Sequence, residues 1–218
     1  HVAYVTLGAG NPVPYFEKFK NAKIKVIPVV PSLKLAKRVE EKGADAIVIE
    51  GMEAGGHIGK ISTLALMTQV IPEVEIPVVV AGGFADGRGL LAALSMGGAG
   101  IQMGTRFYAS KECTSHINAK EMIIKAGDTD SVVTGYLHNH AVRGIRNEMT
   151  DKYLELEREC ADYGKLHELV VGSSRKAPID GDVDWGFVQA GQSLSVIKSI
   201  DSCKDIIESI IEDANESL

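Results

Sequence analysis

Five short segments of this chain are apolar almost without interruption: Val2–Leu7, Lys25–Val30, Ala46–Glu50, Pro77–Ala81 and Gly100–Met103. Each is rich in Val or Ile. None shows the polar–apolar alternation of a half-solvated strand. Continuous runs of this kind suit parallel strands buried on both faces.

Between the runs the period becomes helical. After Pro31-Ser32, residues Leu33, Leu35, Ala36 and Val39 share one face, and Lys34, Lys37, Arg38 and Glu41 fill the other. Ser62 is placed to cap a helix over Thr63–Val70. Asp86 is placed to cap one over Gly87–Met96, which Gly97-Gly98 ends. Alternating strands and helices predict an α/β fold, either a (β/α) barrel or a doubly wound sheet.

The pattern changes after Thr105. Ser110–Ala126 and Thr150–Gly164 read as charged helices, Thr129–Arg146 as irregular, and Leu166–Arg175 is poorly patterned. Gly186–Ile197 is rich in small residues. Asp201–Leu218 reads as an amphipathic helix with Cys203, Ile206, Ile207, Ile210 and Ile211 on one face. The organisation read from these shifts has three parts. They are a partial β/α barrel over 1–112, an inserted helical lobe over 113–178, and a return segment with a closing barrel helix over 179–218.

Composition narrows the function classes. The 218 residues are 45% hydrophobic and 24% charged, ordinary for a soluble globular protein. A net charge of −6 without a basic cluster argues against a nucleic-acid partner. No apolar run is long enough to span a bilayer. Cys113, Cys160 and Cys203 form no CxxC pair, which reads as a reducing, cytoplasmic setting. Cys113 as a reactive thiol is the alternative. The chain opens inside a strand pattern, without an initiating Met, and its natural beginning is expected further upstream.

Candidate chemistry gathers at the strand ends. Glu53-Ala-Gly-Gly-His57-Ile-Gly59 follows the third run, so a buried strand ends in a tight glycine turn carrying one histidine. His57 is the candidate acid or base. No second His stands at i+4 and no carboxylate set surrounds it, so a metal site is not expected. Gly82-Gly83 and Gly104-Thr105 end the fourth and fifth runs. Glycines there let backbone N–H groups approach a phosphate, and Thr105 adds a hydroxyl. Glu50 reads as a ligand contact and Glu53 as solvated. His138-Asn-His140 reads as a polar loop rather than a metal pair. Arg143 and Arg146 read as a solvated face, with an acidic partner or a phosphate tail as the alternative.

Six motifs in order then resemble one family: Thr6-Leu-Gly-Ala-Gly-Asn-Pro12, Glu50-Gly-Met-Glu-Ala-Gly-Gly-His-Ile-Gly59, Ala81-Gly-Gly-Phe-Ala-Asp-Gly87, Gln102-Met-Gly-Thr-Arg-Phe107, His140-Ala-Val-Arg143, and Gly181-Asp-Val-Asp with Ala190-Gly-Gln192. Together they look like the flavin-dependent enoyl-acyl-carrier-protein reductase II of bacteria, a relative of the nitronate monooxygenases (2-nitropropane dioxygenases). The Gly-Ala-Gly-Asn-Pro opening and His140-Ala-Val-Arg143 tilt the resemblance toward the reductase. It implies a (β/α)8 TIM-type barrel whose first strands are absent from this chain, with a helical lobe over the site. It also implies FMN, with NADH or NADPH as electron donor. The FMN phosphate would fall to Gly82, Gly83, Gly104 and Thr105, with Glu50 and Gln102 as further polar contacts and Gln192 near the flavin ring. His57 would be the catalytic residue. Acyl carrier protein or an acyl thioester would be the partner of a cytoplasmic homodimer in fatty acid synthesis. A nitronate monooxygenase using O2 and a non-catalytic flavin- or phosphate-binding module stay open as alternatives.

Overall fold

The computed structural model describes residues 2–159 and 162–218, so Cys160 lies outside the described residues. Its strands are β1 (Tyr4–Leu7), β2 (Lys25–Val30), β3 (Ile47–Glu50), β4 (Gly56–His57), β5 (Val78–Ala81), β6 (Gly100–Gln102), β7 (Ser131–Thr134) and β8 (Val142–Ile145). Its α-helices are α1 (Phe16–Asn21), α2 (Leu33–Glu41), α3 (Thr63–Val70), α4 (Gly87–Ser95), α5 (Thr105–Tyr108), α6 (Ile117–Lys125), α7 (Glu148–Arg158), α8 (Tyr163–Val170), α9 (Ser173–Arg175) and α10 (Cys203–Glu216). Two units result. The first comprises residues 1–53, 59–84 and 88–102, and the second 54–58, 85–87 and 103–218.

In the first unit all five apolar runs form strands, and all pair in parallel, in the order β1-β2-β3-β5-β6. Each new strand adds beside the last without reversal. That is the winding of a (β/α) barrel and not of a doubly wound sheet. One face carries Val26, Val30, Ile47, Ile49, Val78 and Val80, all buried against Ala36 and Val39 of α2, Leu66 and Val70 of α3, and Ala93 of α4. Val48 on the opposite face is also buried, while Ile27, Val29 and Val79 are half-buried. Both faces therefore demand apolar residues, which explains the uninterrupted runs. Ser32 caps α2 by accepting from the Leu35 N–H at 3.4 Å. Ser62 precedes α3 as expected, but its side chain makes no cap.

The second unit is built differently. Its sheet is antiparallel, β4-β8-β7. β7 and β8 occupy the segment that reads as irregular in sequence. Each is four residues long, and β8 contains a buried Arg143 and a glycine. Gly144 is required there because a Cβ would lie 2.6 Å from the Phe187 ring. The core of this unit joins Ala119 and Ile123 of α6 to Ile145, Val188, Leu194 and Ile197. α7 starts in a capping box, with Asn147 accepting from the Thr150 N–H and the Thr150 hydroxyl accepting from the Asn147 N–H. α10 buries Ile206, Ile210 and Ala214, a narrower stripe than the sequence offers, and leaves Ile207 and Ile211 half exposed. Among the described residues no helix is long and apolar enough to cross a membrane.

Candidate active site

In the first unit, ladder register sets the polar residues. Glu50 pairs with Ala81, and Ala81 pairs with Gln102. In-register parallel neighbours project to one side, so Glu50 and Gln102 flank the small Ala81, about 10 Å apart by strand spacing. The Glu50 carboxyl is half-buried, and burial raises its pKa above the ordinary carboxylate value. The chain beyond β3 and β5 is tightly folded. A Cβ on Gly51 would sit 2.0 Å from the Thr63 hydroxyl oxygen and 2.5 Å from the Thr63 nitrogen. Gly82 and Gly83 follow β5 with φ of +99° and +86°. A Cβ on Gly82 would press on Thr63 and Gly51 at 2.9 and 3.0 Å, whereas Gly83 is exposed and meets only Glu53 Cβ at 3.5 Å.

Glu53 corrects an expectation. It does not face solvent. Its carboxylate accepts from the Thr63 N–H at 3.0 and 2.9 Å and from the Thr63 hydroxyl at 2.8 Å. It therefore supplies, from outside the helix, the N-terminal cap of α3 that Ser62 does not make.

In the second unit, close packing sets the His57 loop. Gly56 pairs with Arg143 and His57 with Val142, and the Ile58 N–H donates to the Ala141 carbonyl at 3.1 Å. A Cβ on Gly55 would fall 2.6–2.8 Å from the backbone of Ala190. The hydroxyl of Thr105, itself buried, accepts from the Gly191 N–H at 2.9 Å. The His57 loop and Thr105 thus both meet the Ala190–Gly191 backbone, and the Thr105 hydroxyl keeps its own proton to donate. Gly104 precedes α5 as an exposed residue, and a Cβ there would meet nothing within 4 Å.

The exposed imidazole of His57 lines a cavity of about 230 Å³. α8 contributes Tyr163, Leu166, His167 and Val170 to it. β7 and β8 with the loop between them contribute Thr134, His140 and Val142, and Phe187 and Gln189 complete one side. The Tyr163 ring lies 5.6–5.9 Å from the rings of His138, His140 and His167, stacked on the last. Burial, helped by nearby Glu157 and Tyr163, pushes the pKa of the lining Tyr153 upward, which keeps its phenol protonated. The cavity can accept a substrate with apolar bulk and offer it several proton donors.

The other candidate residues are placed as follows, and Arg143 departs from expectation. Arg143 is buried, 5% exposed, and donates to the Ser131 hydroxyl at 3.1 Å, so it is not part of a solvated face. Burial in a short antiparallel pair outweighs its charge because its donors find acceptors. Arg146 is exposed and pairs with Asp151 at 2.7 Å. Gln192 is exposed and is absent from the cavity wall, where Gln189 stands instead. His140, Tyr163 and His167 escaped the sequence reading as wall residues. Tyr163, Leu166, His167 and Val170 do follow the i, i+3, i+4, i+7 rule, which is the signal that could have found them.

Comparison with known proteins agrees with this fold. The chain resembles FabK from Thermotoga maritima, with 46% identity and a TM-score of 0.94 over 98% of this chain and 68% of that one. A nitroalkane oxidase from Streptomyces ansochromogenes shares the fold at 24% identity, with a TM-score of 0.81 over 99% of this chain and 65% of the other. A probable nitronate monooxygenase of Staphylococcus saprophyticus is 35% identical over 211 residues, covering 92% of this chain and 59% of that protein. The chain thus spans little more than half the length of the curated relatives it matches. The family profile of the nitronate monooxygenases matches residues 1–213. The chain belongs to the nitronate monooxygenase family, whose members are flavin-dependent oxidoreductases.

Proposed function

We propose that this chain is part of an FMN-dependent enoyl-acyl-carrier-protein reductase, using NADH or NADPH to reduce trans-2-enoyl thioesters in the bacterial cytoplasm. The observation that carries the reading is the 46% identity to FabK across 98% of this chain. A second reading, nitronate monooxygenase, is favoured by the names of the curated relatives at 33–36% identity.

The residues fit a flavin. Gly83 and Gly104 are exposed glycines with room beside them, so a ligand can approach their backbone. With Gly82 and the Thr105 hydroxyl they are our candidates for holding the FMN phosphate. Glu50 and Gln102 offer polar contacts at the strand ends, and Gln192 is the candidate beside the ring. Bound FMN supplies the two-electron transfer between nicotinamide and the enoyl β carbon. His57 is our candidate to orient the ring, to donate a hydrogen bond to the thioester oxygen as negative charge develops, or to relay the proton required at Cα. Leu166, Val170 and Phe187 keep water from the apolar part of the substrate.

The test is anaerobic stopped-flow of the full-length flavin-loaded protein, first with NADH and then with crotonyl thioester. Rapid bleaching by NADH and rapid recovery with the thioester support the reductase. Slow or absent bleaching by NADH, with oxygen consumption on a nitroalkane, replaces it with the monooxygenase.

A further inference from the structure

Exposed positive charge is concentrated in one stretch of the first unit. Residues 18–42 hold eight of the chain's 23 Lys and Arg but only two of its 29 Asp and Glu, although the chain as a whole carries −6. All eight basic residues are exposed. Lys37 pairs with Glu73 at 2.5 Å, and the other seven make no ion pair among the described residues. Of the two carboxylates, Glu40 is turned to backbone and accepts from the Glu75 and Ile76 N–H groups at 2.7 and 3.1 Å. Glu41 alone is left to offset the positive charge.

The fold gathers these charges. Lys34, Arg38 and Lys42 recur at every fourth residue, so they run down one side of α2 over about 12 Å. Residues 43–45, just beyond α2, lie beside the start of β2, where the Val26 N–H donates to the Asp45 carboxylate at 2.9 Å. A Cβ on Gly43 would stand 2.7 Å from the Nζ of Lys20, in the last turn of α1. Lys20, Lys23 and Lys25 therefore join the lower end of the α2 stripe. Lys23 is a second sign. It takes the left-handed position of a Schellman turn after α1, with φ of +57°, while the Lys23 N–H donates to the Lys20 carbonyl and the Ile24 N–H to the Phe19 carbonyl, both at 2.9 Å. That position favours glycine, and a lysine is held there against its backbone preference. At the upper end, α2 starts after Pro31-Ser32. A Cβ on Gly59, two residues beyond His57 in the sequence, would lie 2.7 Å from Pro31 Cβ.

We infer that the basic face of α2 and the α1–β2 turn docks an acidic protein, and that this partner is the acyl carrier that delivers the thioester. The inference rests on the proposed function for what the partner carries. A chain of net negative charge repels an acidic carrier except at a positive face, which also fixes its orientation. Arg143 and Arg146 cannot supply that face, since one is buried and the other is paired with Asp151.

The test uses the full-length flavin-loaded protein and a fluorescently labelled acyl carrier protein of net negative charge, followed by anisotropy. The parent should bind at about 50 mM salt and several times more weakly at about 200 mM. The triple variant Lys34→Glu, Arg38→Glu, Lys42→Glu should weaken binding by about tenfold or more, since an exposed ion pair is worth up to about a factor of five and reversal adds repulsion. Its KM for crotonyl-carrier should rise in step, while its turnover of crotonyl-pantetheine should match the parent's and show that it is folded. Lys204→Glu, the same charge change on α10, should stay within about twofold. Lys23→Gly should bind about twofold to threefold more weakly yet melt no lower than the parent, because glycine suits that turn.

A carrier that does not bind the parent, or that binds the triple variant equally well, overturns the inference. If the triple variant loses its flavin, Lys23→Gly decides, and unchanged binding there overturns it. Binding of a short DNA duplex through the same lysines, with none of the carrier, makes the partner a nucleic acid and also overturns it. Carrier binding that the variants weaken upholds the docking face. With that binding in place, failure to reduce crotonyl-pantetheine overturns the reductase reading alone.

Discussion

The two units hold their polar residues in place by different means. In the first, Glu50 and Gln102 take their positions from the register of a five-stranded parallel ladder, and neighbouring strands would resist any slip. In the second, His57 belongs to a strand of two residues whose partner has four, and glycine contacts with residues 189–190 fix the loop. A register-held residue tolerates changes in nearby turns. A contact-held residue moves when one Cβ is added behind it. Glycines in both units therefore divide into those with protein against them, such as Gly51 and Gly55, and those facing open space, such as Gly104.

That division is broken most severely at Gly51. Alanine there places Cβ 2.0 Å from the Thr63 hydroxyl and 2.5 Å from backbone, which has little freedom to shift. We expect a loss of about 3 kcal/mol or more in unfolding free energy, measured by denaturant titration. Gly104→Ala meets nothing and has an ordinary negative φ of −94°, so its stability should stay within about 0.5 kcal/mol. Gly104→Val should also fold but should purify without flavin, because its branched side chain fills the space assigned to the phosphate. A Gly104→Val protein that stays yellow at full occupancy removes that assignment.

The next effect is kinetic. His57→Ala should keep FMN, since the assigned phosphate contacts lie on other segments. Reduction by NADH should change little, while reoxidation by enoyl thioester should slow about a hundredfold, the scale of losing a general acid or an oxyanion donor. Stopped-flow separates the half-reactions. Crippled reduction with unchanged reoxidation would assign His57 to nicotinamide binding, and loss of flavin would make the loop structural.

Legibility in the sequence follows the same contrast. The first unit could be read because its strands are uninterrupted Val and Ile runs and α2 keeps one apolar face over nine residues. The second could not, because periodicity needs longer windows than four-residue strands provide, and a buried Arg143 beside Gly144 looks like a loop. The α8 stripe straddles two sequence stretches of different pattern. A segment starting at Leu166 omits Tyr163, the residue that completes the stripe. His57 was legible from the glycines around it. His140 and His167 were not, because only tertiary folding brings them to the same cavity. Glu53 looks solvated in the sequence because its partner Thr63 lies ten residues on, beyond the reach of a local capping rule.

That carboxylate gives a smaller, local test. Glu53→Ala leaves the Thr63 N–H and hydroxyl without their acceptor at the start of α3. It should cost about 1–2 kcal/mol, and Glu53→Gln less, because one amide oxygen can still accept. Thermal unfolding measures both. No loss in either would mean that the helix start is held by packing alone.

The smallest expected effect is at Glu50, where register, not contact, does the holding. Burial raises its folded pKa above the ordinary value of 4.5, so folding favours the protonated form. The contribution is most favourable below the unfolded pKa and is lost as pH rises through the folded one. At neutral pH the buried carboxylate is therefore a burden that Glu50→Gln removes. In the flavin-free protein the variant should melt slightly higher than the parent at pH 7, and the gap should close as pH falls below about 4.5. The parallel ladder predicts that no other property of the apoprotein changes, because neither Ala81 nor Gln102 depends on the charge at Glu50 for its register. A variant less stable than the parent at pH 7 would show that the carboxylate is held by favourable partners, and that Glu50, like His57, owes its position to contacts rather than to the sheet.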